Sequence, residues 1–582
     1  MQILSNKKRG VAATTWPRFA GRASRTLLGC VSVAAMVAMA GTAAKADDQV
    51  SIKEIHDLKA RLKMLEKRMD KQAKLQKKVL RREAAYAPPY AQPGAGPVGP
   101  YSPPMPWDKK FHMNGITITP GGFLAAEGVW RARDQGGDFN EPFGASPEYN
   151  SPLAHMNELR FTSRQSRVSA LVQGFANPDT LVSAYGEFDF LGAANSANSN
   201  ESNSYNPRVR ALYGTIDWQQ EGWHVLAGQN WSLATLQTQG ITPRNEAVPL
   251  TIDAQYVAGF TWTRQAQLRV TKNFGQDLWF AVSAEMPQTT GCPGLPIGVG
   301  AYPPSGSPPT PVSGVGITCN QESAGGGLLN QYTTYSINHI PDVIAKTAWE
   351  PTVAGRRVHL EAMGMYTDLY DQVGALPGVL SYTNTRYDTA GWGAGGGMIV
   401  PIMPKLLDFS GSTLIGRGIG RYGSGQLNDA TFNPNGSLDA LPEVMFLTNL
   451  TLHATPTLDI YTYAGEERIL NANNTAFAGY SPLTVNNSGC YVIGGVCGGN
   501  TKDVWEITGG FWNKIYDGPL GSVRVGLQYE YIERSLFSGT GASGGLPAYA
   551  GTPRFNEQDA YASFRYYPFD VPAPAPALTA KY

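Results

Sequence analysis

The chain has 582 residues, of which only 16% are charged, and its 66 glycines, 41 prolines and 10% aromatic residues favour strands and long loops over helices. After residue 46 no uninterrupted apolar stretch of about 18 residues occurs, which excludes a helical membrane protein. The net charge of +1 combines a basic region up to residue 83 with a remainder near −11, and this argues against nucleic acid as a partner.

Residues 1–46 have the pattern of an export signal. A basic start is followed by an apolar run from Leu27 to Ala40 and by the small-residue site Ala44-Lys45-Ala46. We expect cleavage after Ala46 and a mature protein outside the cytoplasm.

Residues 47–83 predict an α-helical coiled coil on a basic helix. Five apolar residues recur there at alternating spacings of three and four, namely Ile55, Leu58, Leu62, Leu65 and Met69. A single-striped helix is marginal in water, so the stripe favours partner helices and an oligomer over a lone helix packed on its own domain. Residues 84–110 are rich in proline and predict a semi-rigid linker.

Residues 111–569 show about sixteen segments of alternating hydrophobicity, and residues 570–582 form a Pro/Ala-rich tail. Short and long connections alternate strictly between these segments, with seven short turns and eight long loops. This alternation predicts an all-β fold, a transmembrane antiparallel up-and-down β-barrel with both termini on the short-turn side.

The stretch 522–531 illustrates the two faces of such a strand. Val523, Val525 and Leu527 are predicted to face lipid, because a closed barrel is the strand arrangement that pairs every backbone group in a bilayer. About sixteen strands make a barrel too wide for side chains to fill, so an aqueous interior is expected. Six tryptophans near predicted strand ends suit interfacial girdles: Trp130, Trp218, Trp223, Trp262, Trp505 and Trp512.

Ten charged residues fall on predicted inward faces and are candidates for the pore wall. The basic ones are Arg167, Arg208, Arg210, Arg269, Arg357 and Arg524, and the acidic ones are Glu187, Asp189, Glu361 and Glu530. A mixed wall could align a zwitterion or a dicarboxylate. The alternative is that opposite charges pair with each other and only brace the wall.

The third long connection, predicted at residues 231–255, is the candidate constriction. In general porins the third long loop folds inward, so by position its polar groups would meet solute: Gln237, Gln239, Arg244, Asn245 and Glu246. An ordinary external loop is the alternative.

Four cysteines remain after the signal, and they form two close pairs. Cys292 with Cys319 and Cys490 with Cys497 are expected to be loop-closing disulfides in an oxidising compartment, with free thiols as the alternative. Neither pair has the spacing of a metal site. We also expect no cofactor and no enzymatic activity, because GIGRYG (418–423) ends a strand without a following helix and no catalytic motif occurs.

Four short stretches carry a resemblance to a known family. EFDFLG (187–192), RVRALYG (208–214), LAGQNWS (226–232) and GRGIGRYG (416–423), in this order, resemble Gram-negative outer-membrane porins, in particular the DcaP-like trimeric porins. The resemblance implies a trimer of sixteen-stranded barrels, a periplasmic coiled coil and passive uptake of small, often anionic solutes such as dicarboxylates. It also implies that Arg208 and Arg210 line the pore.

The sequence therefore predicts an outer-membrane porin, a passive diffusion channel for small hydrophilic solutes. Outer-membrane lipid, further copies of the chain and solutes are the expected partners. An alternative function is a structural protein that tethers the membrane to the cell wall, with the coiled coil contacting peptidoglycan in the periplasm.

Overall fold

The computed structural model describes residues 109–570 except 136, 138, 141–142, 144–146, 193–205, 291–314, 317–335, 337, 374–384, 434–436, 474–478, 483–484 and 540–550. The expected signal peptide and coiled coil, most of the linker, the Pro/Ala-rich tail after residue 570, and the Cys292–Cys319 pair lie outside the described residues. None of the helices in the described part of the chain is long and apolar enough to cross a bilayer.

Within the described residues, sixteen antiparallel strands form one closed barrel, as the alternating pattern predicted. They are β1 Ile116–Arg131, β2 in two segments Glu158–Thr162 and Arg167–Phe175, β3 Thr180–Gly192, β4 Asn206–Trp218, β5 Trp223–Trp231, β6 Arg264–Phe274, β7 Leu278–Glu285, β8 Asp342–Trp349, β9 His359–Val373, β10 Thr385–Met403, β11 Leu407–Arg417, β12 Pro442–Thr455, β13 Leu458–Ile469, β14 Thr501–Gly518, β15 Gly521–Leu536 and β16 Arg554–Tyr567. Each strand pairs with the next, and β16 pairs with β1 to close the barrel.

Shorter elements decorate the barrel. Phe111–Met113 pairs with the start of β1, and Val315–Gly316 pairs with the end of β9. The remaining elements are the small hairpins Thr352–Val353 with Arg356–Arg357 and Ala430–Phe432 with Leu438–Ala440, and the 3-10 helices Pro152–His155 and Gly420–Tyr422.

The strands have an apolar outer face and a polar inner face because side chains alternate along an extended chain. In β7, Phe280 and Val282 are exposed on the outside, whereas Ser283 and Glu285 are buried inside. In β15, Leu527 is 53% exposed while Gln528 is 4% exposed. The outer surface therefore carries a band of exposed aliphatic and aromatic side chains.

Two of the tryptophans expected in an outer girdle lie inside the barrel instead. Trp262 and Trp512 are buried in an apolar cluster with Tyr461, whereas Trp130 and Trp223 are exposed. The prediction for Trp262, which was based on its place near a predicted strand end, was wrong because this residue precedes β6 and belongs to the connection.

Cys490 and Cys497 form a disulfide in the long connection between β13 and β14. Cys490 is fully buried and packs with Leu536 and Phe555, at the long-loop ends of β15 and β16. The bridge thus fixes an external loop against the rim of the barrel.

Replacing both cysteines with serine should loosen this loop without opening the barrel. The bridge closes a short loop, and its loss should cost about 2 kcal/mol of local stability. We expect faster cleavage by an added protease between residues 485 and 500, with cleavage sites mapped by mass spectrometry. Equal cleavage rates in the variant and the unmodified protein would contradict a structural role for the bridge.

Candidate functional site in the barrel lumen

The connection between β5 and β6 lies inside the barrel and is called the inward segment, residues 232–263. Its Val257 and Phe260 are buried against the inward-facing Tyr461 and Trp512 of the wall. The sequence predicted that this connection would end at residue 255, but β6 begins only at Arg264. The last eight residues remain outside the strand because their apolar side chains pack in the lumen instead of pairing along the wall.

Wall carboxylates hold the backbone of the inward segment. Each accepts a hydrogen bond from a backbone N–H: Glu285 from Leu233 at 2.8 Å, Glu361 from Gln237 at 3.0 Å, Glu350 from Gly240 at 2.5 Å, Glu506 from Ala258 at 2.8 Å and Glu467 from Gly259 at 2.8 Å. These acceptors lie on or beside β7, β8, β9, β13 and β14. The segment is therefore attached to much of the inner circumference.

Residues 418–433, from the connection between β11 and β12, also fold inward. Ile419 donates its backbone N–H to Glu443 Oε2 at 2.9 Å. The Trp262 backbone N–H donates to the Tyr422 carbonyl at 2.7 Å, so these residues pack directly on the inward segment. Sequence analysis did not predict that this second connection folds inward.

Close backbone approach explains two glycines in these loops. Gly259 has φ +84°, and a Cβ there would collide with the Phe446 carbonyl. A Cβ on Gly423 would collide with the Glu467 carboxylate. Gly423 ends the GIGRYG motif, so this glycine serves contact between a loop and a wall carboxylate.

The five predicted constriction residues occupy different environments. Gln237 is fully buried, whereas Gln239 and Arg244 are exposed and Asn245 and Glu246 are half-buried. Gln239 and Arg244 therefore face open space within the barrel, and Gln237 serves to attach the segment.

Arg244 is fixed on the inner wall despite its exposure. Its Nη1 donates to the Tyr213 hydroxyl at 3.0 Å, and its guanidinium lies 5.6 Å from the centroid of the Tyr185 ring. Its backbone has φ +70°. The side chain thus presents a positive charge at a defined place beside the inward segment.

Five of the predicted wall charges form one ion-pair ladder across β2, β3 and β4. Arg210 contacts Glu187 at 2.7 Å and Asp189 at 2.9 Å. Arg208 contacts Asp189 at 2.7 Å, and Arg167 lies 3.7 Å from Glu187. Opposite charges on this side of the wall are therefore paired with one another.

Three of the remaining predicted wall residues also have protein partners. Buried Arg269 donates to the Trp231 carbonyl at 2.7 Å. Lys346 pairs with Glu361 at 2.6 Å. Glu530 accepts the Tyr561 hydroxyl at 2.8 Å.

Arg357 and Arg524 lie near the short-turn end. Arg357 contacts Glu350 at 3.3 Å and belongs to the connection that precedes β9. It is therefore not on the barrel wall, where alternation placed it, because β9 begins only at His359. Arg524 pairs with Asp570 at 3.0 Å.

A cavity of about 430 Å³ opens beside the inward segment towards the short-turn end. Its lining combines basic and acidic side chains: Arg167, Arg524, Arg565, Glu187, Asp459 and Asp570. Arg565, which sequence reasoning missed, contacts Glu127 at 2.7 Å and donates to the Ile252 carbonyl of the inward segment at 2.6 Å. The sequence does contain a signal for Arg565, because alternation along β16 places its side chain on the inward face.

Burial shifts the pKa values of two acidic residues in the inward segment. It raises the pKa of the Asp253 carboxyl to about 6, and the Gln528 amide donates to this carboxyl at 3.0 Å. Burial likewise raises the pKa of Glu246. The folded-in segment therefore holds its acids where their charged forms are poorly solvated.

No family model and no curated protein sequence matches the chain. Among solved structures, it is similar to the outer membrane channel DcaP of Acinetobacter baumannii, with 18% identity over 78% of this chain and 99% of that chain and a TM-score of 0.52. This likeness confirms the fold that the sequence motifs predicted.

Further matches are more distant. Salmonella typhi OmpF, in complex with daunomycin, has 10% identity over 79% of this chain and 99% of that chain, with a TM-score of 0.40. Pseudomonas putida OprB has 12% identity over 77% of this chain and 94% of that chain, with a TM-score of 0.38.

Removing the Glu467 carboxylate should loosen both folded-in connections. Glu467 Oε1 accepts backbone N–H groups of Gly259 at 2.8 Å and Gly425 at 2.9 Å, so Glu467→Ala should cost about 3 kcal/mol of unfolding free energy. Denaturant unfolding of the barrel in detergent, followed by tryptophan fluorescence, measures this cost.

Glu221→Ala is the matched control because Glu221 is exposed in a short turn. Glu467→Gln retains one acceptor oxygen and should be intermediate. If Glu467→Ala and Glu221→Ala unfold at the same denaturant concentration, Glu467 does not hold the two connections.

Proposed function

We propose that this chain is an outer-membrane porin, a passive diffusion channel for small hydrophilic solutes. The observation that carries the proposal is the inward segment, which narrows a sixteen-stranded barrel while leaving Gln239 and Arg244 exposed inside it. The apolar outer band supports a bilayer location, because lipid can solvate a closed barrel whose backbone groups are paired internally. The alternation of short and long connections supports the orientation of an outer-membrane barrel, with the N-terminal coiled coil in the periplasm.

The proposed solutes are small molecules that carry either carboxylate groups or both a positive and a negative charge. In the 430 Å³ cavity, Arg167, Arg524 and Arg565 line the same space as Glu187, Asp459 and Asp570. Arg244 adds a positive charge beside the inward segment. Such a path can align a dicarboxylate or a zwitterion without binding it tightly.

The proposed assembly is a homotrimer. A groove of about 730 Å³ on the barrel surface runs along the strands that close the barrel, with Phe161, Leu527 and Phe564 among its lining residues. Phe161 is 72% exposed. A second copy of the chain, with its own apolar outer face, would cover this groove in the membrane.

The purified protein in planar bilayers should conduct ions in triplet steps, and a silent bilayer would overturn the channel proposal. Arg244→Glu reverses a charge beside the narrowing, so the K⁺-to-Cl⁻ permeability ratio should rise by about threefold or more. The reversal potential in asymmetric KCl measures this ratio.

Arg554→Glu is the matched control for this charge reversal. Arg554 is exposed at the start of β16 and alternates with the inward-facing Phe555, so its side chain points away from the lumen. Its replacement should leave the permeability ratio unchanged. Equal shifts in both variants would show that Arg244 does not face the ion path.

The tethering function keeps one observation in its favour, since loop residues fill part of the lumen. Val257, Phe260 and Trp262 join a buried cluster with wall residues. A variant lacking residues 47–106 separates the two functions, because a channel should still conduct whereas a tether should lose its association with the cell wall.

A further inference from the structure

Three side chains with metal-ligating atoms meet near the long-loop end of β8, β9 and β10. Asp368 Oδ2 lies 3.3 Å from His339 Nδ1, and Asp388 Oδ1 lies 3.3 Å from His339 Nε2. One ligand atom from each residue lies within 4.8 Å of the others. We call this group the rim cluster.

The rim cluster lies on the outer face of the barrel. Asp368 follows the exposed Tyr366 at a spacing of two on β9, and Asp388 precedes the exposed Trp392 at a spacing of four on β10, so all four share a face. Tyr366 and Trp392 are register partners. The cluster is one step beyond this aromatic pair towards the long loops.

Asp368 is a carboxylate that lacks ordinary solvation. Its side chain is 2% exposed, and its Oδ2 atom accepts no hydrogen bond from the described residues. Burying a carboxylate oxygen without a hydrogen bond is costly, so the site favours a cation. The other two side chains remain accessible, with His339 43% and Asp388 59% exposed.

A similar trio elsewhere in the chain has a different geometry. His453 lies between Asp459 and Asp408 and makes a hydrogen bond to each, at 2.6 Å from Nδ1 and 3.2 Å from Nε2. His339 is 3.3 Å from both of its carboxylates and makes a hydrogen bond to neither within the described residues. The His453 trio is therefore closed by hydrogen bonds, whereas His339 makes only the two longer ion-pair contacts with its carboxylates.

We propose that the rim cluster binds a divalent transition-metal ion of the Zn²⁺ class. Imidazole nitrogens and carboxylate oxygens are both zinc ligands, and water would supply the fourth ligand. Ligand atoms around a tetrahedral zinc lie about 3.3 Å apart, which matches the separation of Asp368 Oδ2 and His339 Nδ1. Asp388 Oδ1 lies beside the other ring nitrogen, Nε2, so the exposed Asp388 side chain would rotate towards Nδ1 to complete the ligand set.

Metal binding would tie the chain just before β8 to two other strands. His339 lies in the long connection between β7 and β8, three residues before β8, whereas Asp368 and Asp388 belong to β9 and β10. Bound metal stabilises the state that holds its ligands together. The site does not depend on whether the barrel conducts.

Titration of the tag-free, detergent-folded full chain with ZnCl₂ by isothermal calorimetry, in buffer with excess MgCl₂, tests the proposal. We expect one zinc site per chain, weakened at least tenfold by His339→Ala and by Asp388→Asn. CoCl₂ should give a visible d–d absorption band in the unmodified protein that both variants lose.

His453→Ala and Asp408→Asn are the matched controls and should leave zinc affinity and the cobalt band unchanged. Heat-modifiable migration on gels verifies that every variant has a folded barrel. Asp388 is exposed, so Asp388→Asn is expected to fold even if His339→Ala does not. Zinc binding that is absent, that persists in the rim variants, or that is lost equally in the His453 controls would overturn the proposal.

Discussion

The organisation of the lumen depends on hydrogen bonds from loop backbone N–H groups to buried wall carboxylates. A barrel of sixteen strands cannot be filled by its own side chains, and a loop that enters it brings backbone donors that lose contact with water. Glu285, Glu361, Glu350, Glu506 and Glu467 supply carboxyl oxygens as acceptors for such donors. A bond to an ionised carboxylate is stronger than a neutral one, and each bond offsets part of the free-energy cost of burying the loop backbone and its acceptor.

Because wall charges are paired with loop groups and with each other, few of them remain available to a solute in the lumen. On one side of the wall, Arg208 and Arg210 are paired with Asp189 and Glu187. On the other side, acids such as Glu361 are occupied by a loop N–H and by Lys346. The exposed charge beside the narrowing comes from the loop itself, through Arg244. Wall charges counted along the sequence therefore overstate the charge available to solutes.

The barrel could be predicted from sequence because its evidence is local. Period-two alternation defines each strand, and connection lengths define the up-and-down order, without knowledge of any distant contact. The pairing within the wall could not be predicted in this way. Arg208 meets Asp189 because β3 and β4 pair these residues in register, and β4 carries an irregularity nearby that alternation does not reveal.

The candidate constriction was predicted in position but not in extent. Residues 256–263 contain Val257, Phe260 and Trp262, which have the composition of a strand and of an interfacial girdle. An apolar side chain packed in the lumen and one facing lipid give the same sequence pattern, so composition cannot separate them. The contacts that decide the outcome involve Tyr461 and Trp512, about 200 and about 250 residues further along the chain.

Glu467 gives the two folded-in connections a common point of attachment. Its Oε1 atom accepts N–H groups from Gly259 of the inward segment and from Gly425 of the second connection. The Trp262 N–H joins the same two connections through the Tyr422 carbonyl. One buried carboxylate accepts hydrogen bonds from both loops. If either loop moves away, this carboxylate loses one of its donors. The two connections should therefore behave as one packed unit, and the width of the path beside them depends on their shared contacts.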